Sequence, residues 1–143
     1  MASPFMKIKP IDDFDGYFIS NTGLVFSNLG KGNRNKEKRC YMYQIKPRTS
    51  RNGYLRVYMR QTSTNKRVDR YIHRLVGEAF VENPDPVNKT CINHKNCIRN
   101  YNYDDNLEWV SVQENIKYTS KVNHVLRDDK GRFVAHSPYY QKK

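Results

Sequence analysis

The stretch INHKNCIRNYNYDDNLEWVSVQEN, residues 92–115, decides the fold. Residues 91–94 and 107–111 read as two short strands, and the polar residues between them as a long loop. Ser111-Val112-Gln113-Glu114 is a capping box, with serine as the N-cap and glutamate three residues on, so a helix opens directly after the second strand. That helix is expected to run to about Val122 and carries Asn115 in its first turn. The product is a strand–loop–strand–helix unit with Asn93 and His94 at the end of its first strand.

Working outward, residues 73–81 are predicted to be a short helix, with Leu75, Val76, Ala79 and Phe80 spaced as a buried stripe. Asn83-Pro84-Asp85-Pro86 ends it, because proline cannot continue the helical hydrogen-bond ladder. Residues 17–28 read as two short strands around an Asn21-Thr22-Gly23 turn. Residues 30–39 carry glycine, asparagine and charge without periodicity and read as a loop. Strands are expected over 40–46, 54–60 and 66–72, with a turn at 62–65 between the last two. Within 54–60 the alternation puts Leu55, Val57 and Met59 on one face and Tyr54, Arg56, Tyr58 and Arg60 on the other. Residues 123–143 are polar and basic and are expected to form an extended tail.

The chain has 143 residues, a net charge of +12 and an isoelectric point near 9.7. The charge is unevenly placed. Fourteen of the 26 Lys and Arg lie between Lys31 and Arg74, against two acids, Glu37 and Asp69. A one-sided basic block interleaved with aromatics suits a polyanion, because each neutralised phosphate releases counterions. A sheet face of Tyr and Arg is also what backbone contact and base stacking require, although a solvated antiparallel face gives the same pattern. Candidate nucleic-acid contacts are Arg48, Arg51, Tyr54, Arg56, Tyr58, Arg60, Arg70 and Arg74.

Three cysteines, Cys40, Cys91 and Cys97, form no Cys-x-x-Cys pair, which argues against a disulfide framework and fits a reducing compartment. Cys91-x-x-His94-x-x-Cys97 has soft ligands, but residues three apart on a strand point to opposite faces, so zinc is not expected. The sequence has no long apolar run, and the protein is expected to be soluble and intracellular, with no membrane partner.

Phosphodiester hydrolysis needs a water deprotonated near neutral pH and a counter-charge on the departing 3′ oxygen. Histidine suits the first task. A hard divalent cation held by few protein oxygens suits the second. Here a resemblance becomes specific. His73-Arg74-Leu75-Val76, Asn93-His94, Asn106-Leu107-Glu108-Trp109-Val110 and Asn115 stand in the order and spacing of a motif found in HNH homing endonucleases, the ββα-metal nucleases of phage and intron origin. Lys9-Pro10-Ile11 followed by residues 16–27 (GYFISNTGLVFS) resembles the small module that often precedes that nuclease domain.

The resemblance implies roles for individual residues. His94 would be the general base, and Asn93 and Asn115 would hold one Mg²⁺ or Mn²⁺ through side-chain oxygens. Asn106 would tether the loop and so aim His94. His73 would either face phosphate or simply begin its helix, and Trp109 would belong to the core. The expected fold is α+β, a small antiparallel N-terminal sheet packed with a ββα-metal unit. The expected division is an N-terminal β module over 1–62, the nuclease unit over 63–122 and the basic tail over 123–143. The expected function is a metal-dependent endonuclease that nicks double-stranded DNA as a monomer or weak dimer, in a bacterial or phage-infected cell. RNA is the alternative polyanion. The alternative function is a non-catalytic or weakly catalytic nucleic-acid-binding protein or nucleoprotein subunit on the same scaffold.

Overall fold

The computed structural model describes residues 5–30, 37–125 and 130. Among the described residues, three antiparallel sheets, two α-helices and a short 3₁₀ helix (Asp104–Asn106) form the α+β fold expected. The first sheet has the order β1 (Ile8–Pro10), β2 (Tyr17–Ser20), β3 (Val25–Leu29) and β4 (Lys38–Gln44). The second has β5 (Arg48–Thr49), β6 (Leu55–Arg60) and β7 (Arg67–Tyr71). Helix α1 (Ile72–Phe80) follows β7 without a linker, and the hairpin β8 (Cys91–His94) and β9 (Leu107–Val110) leads into α2 (Val112–Val125).

Helix α1 is the hub. Its Ile72, Leu75 and Val76 lie in one cluster with Phe14, Ile19 and Val25 of the N-terminal segment, Val57 and Met59 of β6, and Leu107 of β9. Burying each such side chain is worth about 1.5–3 kcal/mol, so all three sheets depend on the same helix. The helix approaches β8 closely because residue 77 is glycine: a Cβ there would fall 2.2 Å from Ile92 Cδ1. Glycine costs a helix interior about 1 kcal/mol, a cost offset here by helix-to-strand contact. At the far end of the helix Trp109 Nε1 donates to Val81 O at 3.0 Å, and the Arg74 guanidinium lies over the indole.

Helix α2 opens on the expected capping box. Glu114 N donates to Ser111 Oγ at 3.1 Å, and Ser111 N donates to the Glu114 carboxylate at 2.7 Å. Hydrogen bonds that the Glu114 carboxylate accepts from the backbone N–H of Ser111, and then from its side chain, hold the carboxyl below its ordinary pKa.

Several boundaries differ from expectation. β4 starts at Lys38, inside the expected 30–39 loop, because it pairs with β3 and not because its own residues alternate: nearly all of it is exposed. Residues 31–36 of that loop lie outside the described residues. β1 and β5 are too short, at three and two residues, to carry a periodic signal. Helix α2 continues to Val125, so residues 123–125 of the expected tail are helical, while 126–129 and 131–143 lie outside the described residues. The division expected at 62/63 falls in the turn between β6 and β7, which pair from Arg56↔Tyr71 to Arg60↔Arg67. No helix among the described residues is long and apolar enough to cross a membrane.

Candidate nuclease site

His94 is the last residue of β8, pairs with Leu107 and is 5% exposed. Its Nε2 lies 2.8 Å from Asn102 Oδ1. An amide oxygen can only accept, so Nε2 carries the proton and Nδ1 is the basic nitrogen of the neutral ring. Burial holds the imidazole below the ordinary histidine pKa; the Asn102 bond pulls in the opposite direction, and the charge of Arg99 lowers it further. His94 is therefore neutral at physiological pH, the form that accepts a proton.

The loop that follows is held by Asn106. Asn106 Oδ1 accepts from Asn96 N at 3.1 Å, and its Nδ2 donates to Asn96 Oδ1 and to Tyr101 O, both at 2.9 Å. Its backbone closes the same loop, with Lys95 N donating to Asn106 O and Asn106 N donating to Tyr103 O. Cys97 N donates to His94 O, at the turn where Cys97 adopts φ +61°. That left-handed conformation costs a non-glycine residue about 1–2 kcal/mol.

Sequence reasoning missed Asn102. It is one of five asparagines between 93 and 106, and a loop has no period to say which one turns inward. Only the structure separates it: Tyr101 and Tyr103 are exposed and stacked on each other at 4.6 Å, while Asn102 between them is 3% exposed.

Asn93 pairs with Glu108 across the hairpin, and its Nδ2 donates to Glu108 Oε1 at 2.9 Å. This bond turns the amide nitrogen toward Glu108 and leaves Oδ1 as the atom able to bind a cation. Asn115 stands in the first turn of α2, which packs against β8, and is half-buried. Amide oxygens are hard, neutral donors, a chemistry compatible with Mg²⁺ or Mn²⁺ that keeps water and phosphate as further ligands. Among the described residues no group of three or more His, Cys, Asp or Glu could hold a metal.

His73, second residue of α1, packs against His94 at 5.3 Å between ring centroids, against Tyr54 at 5.1 Å and against Tyr71 at 5.5 Å. Its Nδ1 is buried without a hydrogen-bond partner. Burial first, then the charges of His94 and Arg74, lower its pKa to about 3.

Tyr54 also lies against His94, at 5.9 Å, and under the Arg99 guanidinium. It joins this site to the outer face of the second sheet. The register there pairs Arg48 with Arg56, Arg56 with Tyr71, Tyr58 with Asp69, and Arg60 with Arg67. Tyr58 lies beneath both Arg48 and Arg67. The structure thus brings Arg48, Tyr54, Arg56, Tyr58 and Arg60 together and adds Arg67 and Tyr71. Arg56 is ion-paired with Asp69 at 2.7 Å.

It does not bring Arg70 or Arg74 onto that face. Arg70 pairs with the buried Val57, so it points to the core side, over Phe14 and into an ion pair with Glu78. Arg74 is on α1, bonded to Thr90 O. Arg51 is exposed in the β5–β6 turn.

This geometry has counterparts. The chain is similar to the uncharacterized HNH endonuclease L247 of Acanthamoeba polyphaga mimivirus, 36% identical over 116 residues, which cover 81% of this chain and 26% of the relative. The uncharacterized HNH endonuclease L245 of the same virus is 33% identical over 107 residues, 75% of this chain and 28% of that one. Among solved structures, the HNH homing endonuclease I-HmuI, described in its DNA binding and cleavage, superposes with a TM-score of 0.65 and 26% identity, over 87% of this chain and 63% of that chain. The chain belongs to the HNH homing endonuclease family. No family model matches it. The chain spans about a quarter of the length of the two viral HNH relatives. In HNH terms, the hairpin β8–β9 and helix α2 are the ββα unit, and α1 packs against both strands of the hairpin.

Proposed function

We propose that the chain is a divalent-metal-dependent endonuclease that hydrolyses phosphodiester bonds of double-stranded DNA, with one active site that nicks one strand. The observation that carries this reading is the setting of His94: a neutral imidazole with Nε2 bonded to Asn102, at the end of a Tyr/Arg face joined to it through Tyr54. His94 Nδ1 takes a proton from the attacking water, Asn106 holds the loop that aims the ring, and the outer face of the second sheet receives the phosphate backbone. Asn93 and Asn115 would hold Mg²⁺ or Mn²⁺, and the cation would offset charge on the departing 3′ oxygen. The products would be a 5′ phosphate and a 3′ hydroxyl. His73 is neutral and acts through its packing against His94.

Supercoiled plasmid should be converted to nicked circle with Mg²⁺ or Mn²⁺, and not with EDTA. Asn115→Ala should raise the metal concentration needed for half-maximal nicking. Metal-independent nicking would overturn the assignment of the two asparagines. The second reading, a nucleic-acid-binding protein on an HNH scaffold, is favoured by the neutrality of Asn93 and its engagement with Glu108. It predicts tight binding without cleavage across metals and substrates.

The face itself has a separate test. If Arg67 neutralises one phosphate, Arg67→Ala should reduce the slope of log affinity against log salt by about 0.9. Arg70→Ala should leave the slope unchanged, because Arg70 lies on the core side. Equal slopes for the wild type and Arg67→Ala would remove that residue from the interface.

A further inference from the structure

We infer that Asn102 is the positioning residue for His94, and that the Asn21–Gly23 turn of the N-terminal sheet holds Asn102 in place. The inference rests on the nuclease reading only for its catalytic consequence; the structural claim is independent of it.

The support can be followed bond by bond. Asn21 is 2% exposed and tied to the segment preceding β1: Lys7 N donates to Asn21 Oδ1, and Asn21 N donates to Lys7 O. Its carbonyl accepts from Asp104 N at 2.9 Å, two residues beyond Asn102. Gly23, at φ +84°, closes the turn against Asn102 itself. A Cβ on Gly23 would lie 2.9 Å from Asn102 Cβ, 3.2 Å from Asn102 O and 3.5 Å from Ile72 Cγ2. The turn is therefore set against both α1 and the loop between β8 and β9. Any side chain at 23 would push on the residue whose amide oxygen accepts the hydrogen bond from His94 Nε2.

Asn102 is 3% exposed, and its Nδ2 is buried without a hydrogen-bond partner. Half of its hydrogen-bonding capacity is thus unused, while the other half faces His94. An amide used only to fill space would be replaced at no cost by an apolar residue. Its placement makes sense as an acceptor for one imidazole proton. The N-terminal sheet is on this account part of the support of the active site, in addition to any contact it makes with DNA.

The test is NMR of the full chain at mildly alkaline pH, following the His94 Nε2 proton. In the wild type this proton, buried and bonded, should give a resolved downfield resonance. Asn102→Asp retains an acceptor and should keep it; Asn102→Ala should lose it to exchange with solvent. Gly23→Ala should shift or broaden it. Gly16→Ala is the control: Gly16 is left-handed at φ +83° in the same part of the chain, but a Cβ there meets Leu29. That variant should lose thermal stability and leave the His94 resonance where it was.

In nicking assays Asn102→Ala should be slower by about 10- to 100-fold at unchanged DNA affinity, with Asn102→Asp recovering part of the loss. A His94 Nε2 resonance unchanged in Asn102→Ala would overturn the role of Asn102. A resonance unchanged in folded Gly23→Ala would overturn the role of the turn. If Gly23→Ala does not fold, Gly23→Asn, which tolerates the backbone conformation but keeps the Cβ contact, replaces it. Failure of the wild type to nick under any condition would refute the nuclease reading and leave the NMR result standing.

Discussion

His94→Ala is expected to slow metal-dependent nicking by about 10²–10⁴-fold, the usual contribution of a positioned general base. DNA affinity should stay nearly the same, because among the proposed contacts of the outer face Tyr54 packs against the imidazole, whereas Arg48 and Arg67 are placed over Tyr58. The substitution also leaves Asn102 Oδ1 buried without its partner, which costs about 1–3 kcal/mol of stability. The comparison should therefore be made at matched DNA occupancy and well below the melting temperature of the variant. Loss of cleavage with retained binding identifies the base. Cleavage at the wild-type rate would move the base elsewhere and remove the catalytic consequence of Asn102, while its hold on the His94 ring would stand or fall with the NMR result.

A second large effect concerns acid stability. His73 falls from the ordinary 6.5 to about 3 on folding, chiefly because it is buried. The sign follows from the unfolded chain. Below pH 6.5 the unfolded state binds a proton that the folded state refuses, so stability is lost as pH falls from about 6.5 toward about 3 and is unaffected above that window. At about 1.4 kcal/mol per pH unit, the upper bound is about 5 kcal/mol, a large share of a small domain's stability. His73→Phe keeps a ring against Tyr54 and Tyr71 and removes the titration; since Nδ1 has no partner, no hydrogen bond at that atom is lost. Urea unfolding midpoints at neutral pH and near pH 4.5 should lie closer together for the variant than for the wild type, the remaining gap coming from His94, which burial also holds below the ordinary histidine pKa. Parallel behaviour of the two proteins would show that His73 titrates normally in the folded chain.

What could be read from the sequence was whatever local pattern alone determines. The capping box fixed the start of α2 because its two bonds are made within four residues. The alternation in 54–60 found the two faces of β6, because Val57 and Met59 must be buried for the strand to pack. What was missed depends on partners distant in sequence. In the sequence Arg70 is a candidate nucleic-acid contact on charge alone, with no face assigned; its side follows from register against the buried Val57. The strand expected over 40–46 is β4, but its start at Lys38 was missed, since β4 has no burial alternation to display and its bounds follow from pairing with β3. Asn102 gains its importance from His94, eight residues away, and from Gly23, on another sheet.

The sharing of α1 among all three sheets also limits how such a protein can be recombined. A chimera joined at the turn between β6 and β7 would separate Val57 and Met59 from the helix that covers them, and Gly23 from Asn102. The second sheet and the β8–β9 hairpin, which the proposed function makes the DNA-contacting and cleaving parts, must therefore be inherited together. Exchange of target preference between relatives should proceed by point changes on the outer face of β6 and β7, or by adding segments outside this core, and not by swapping halves.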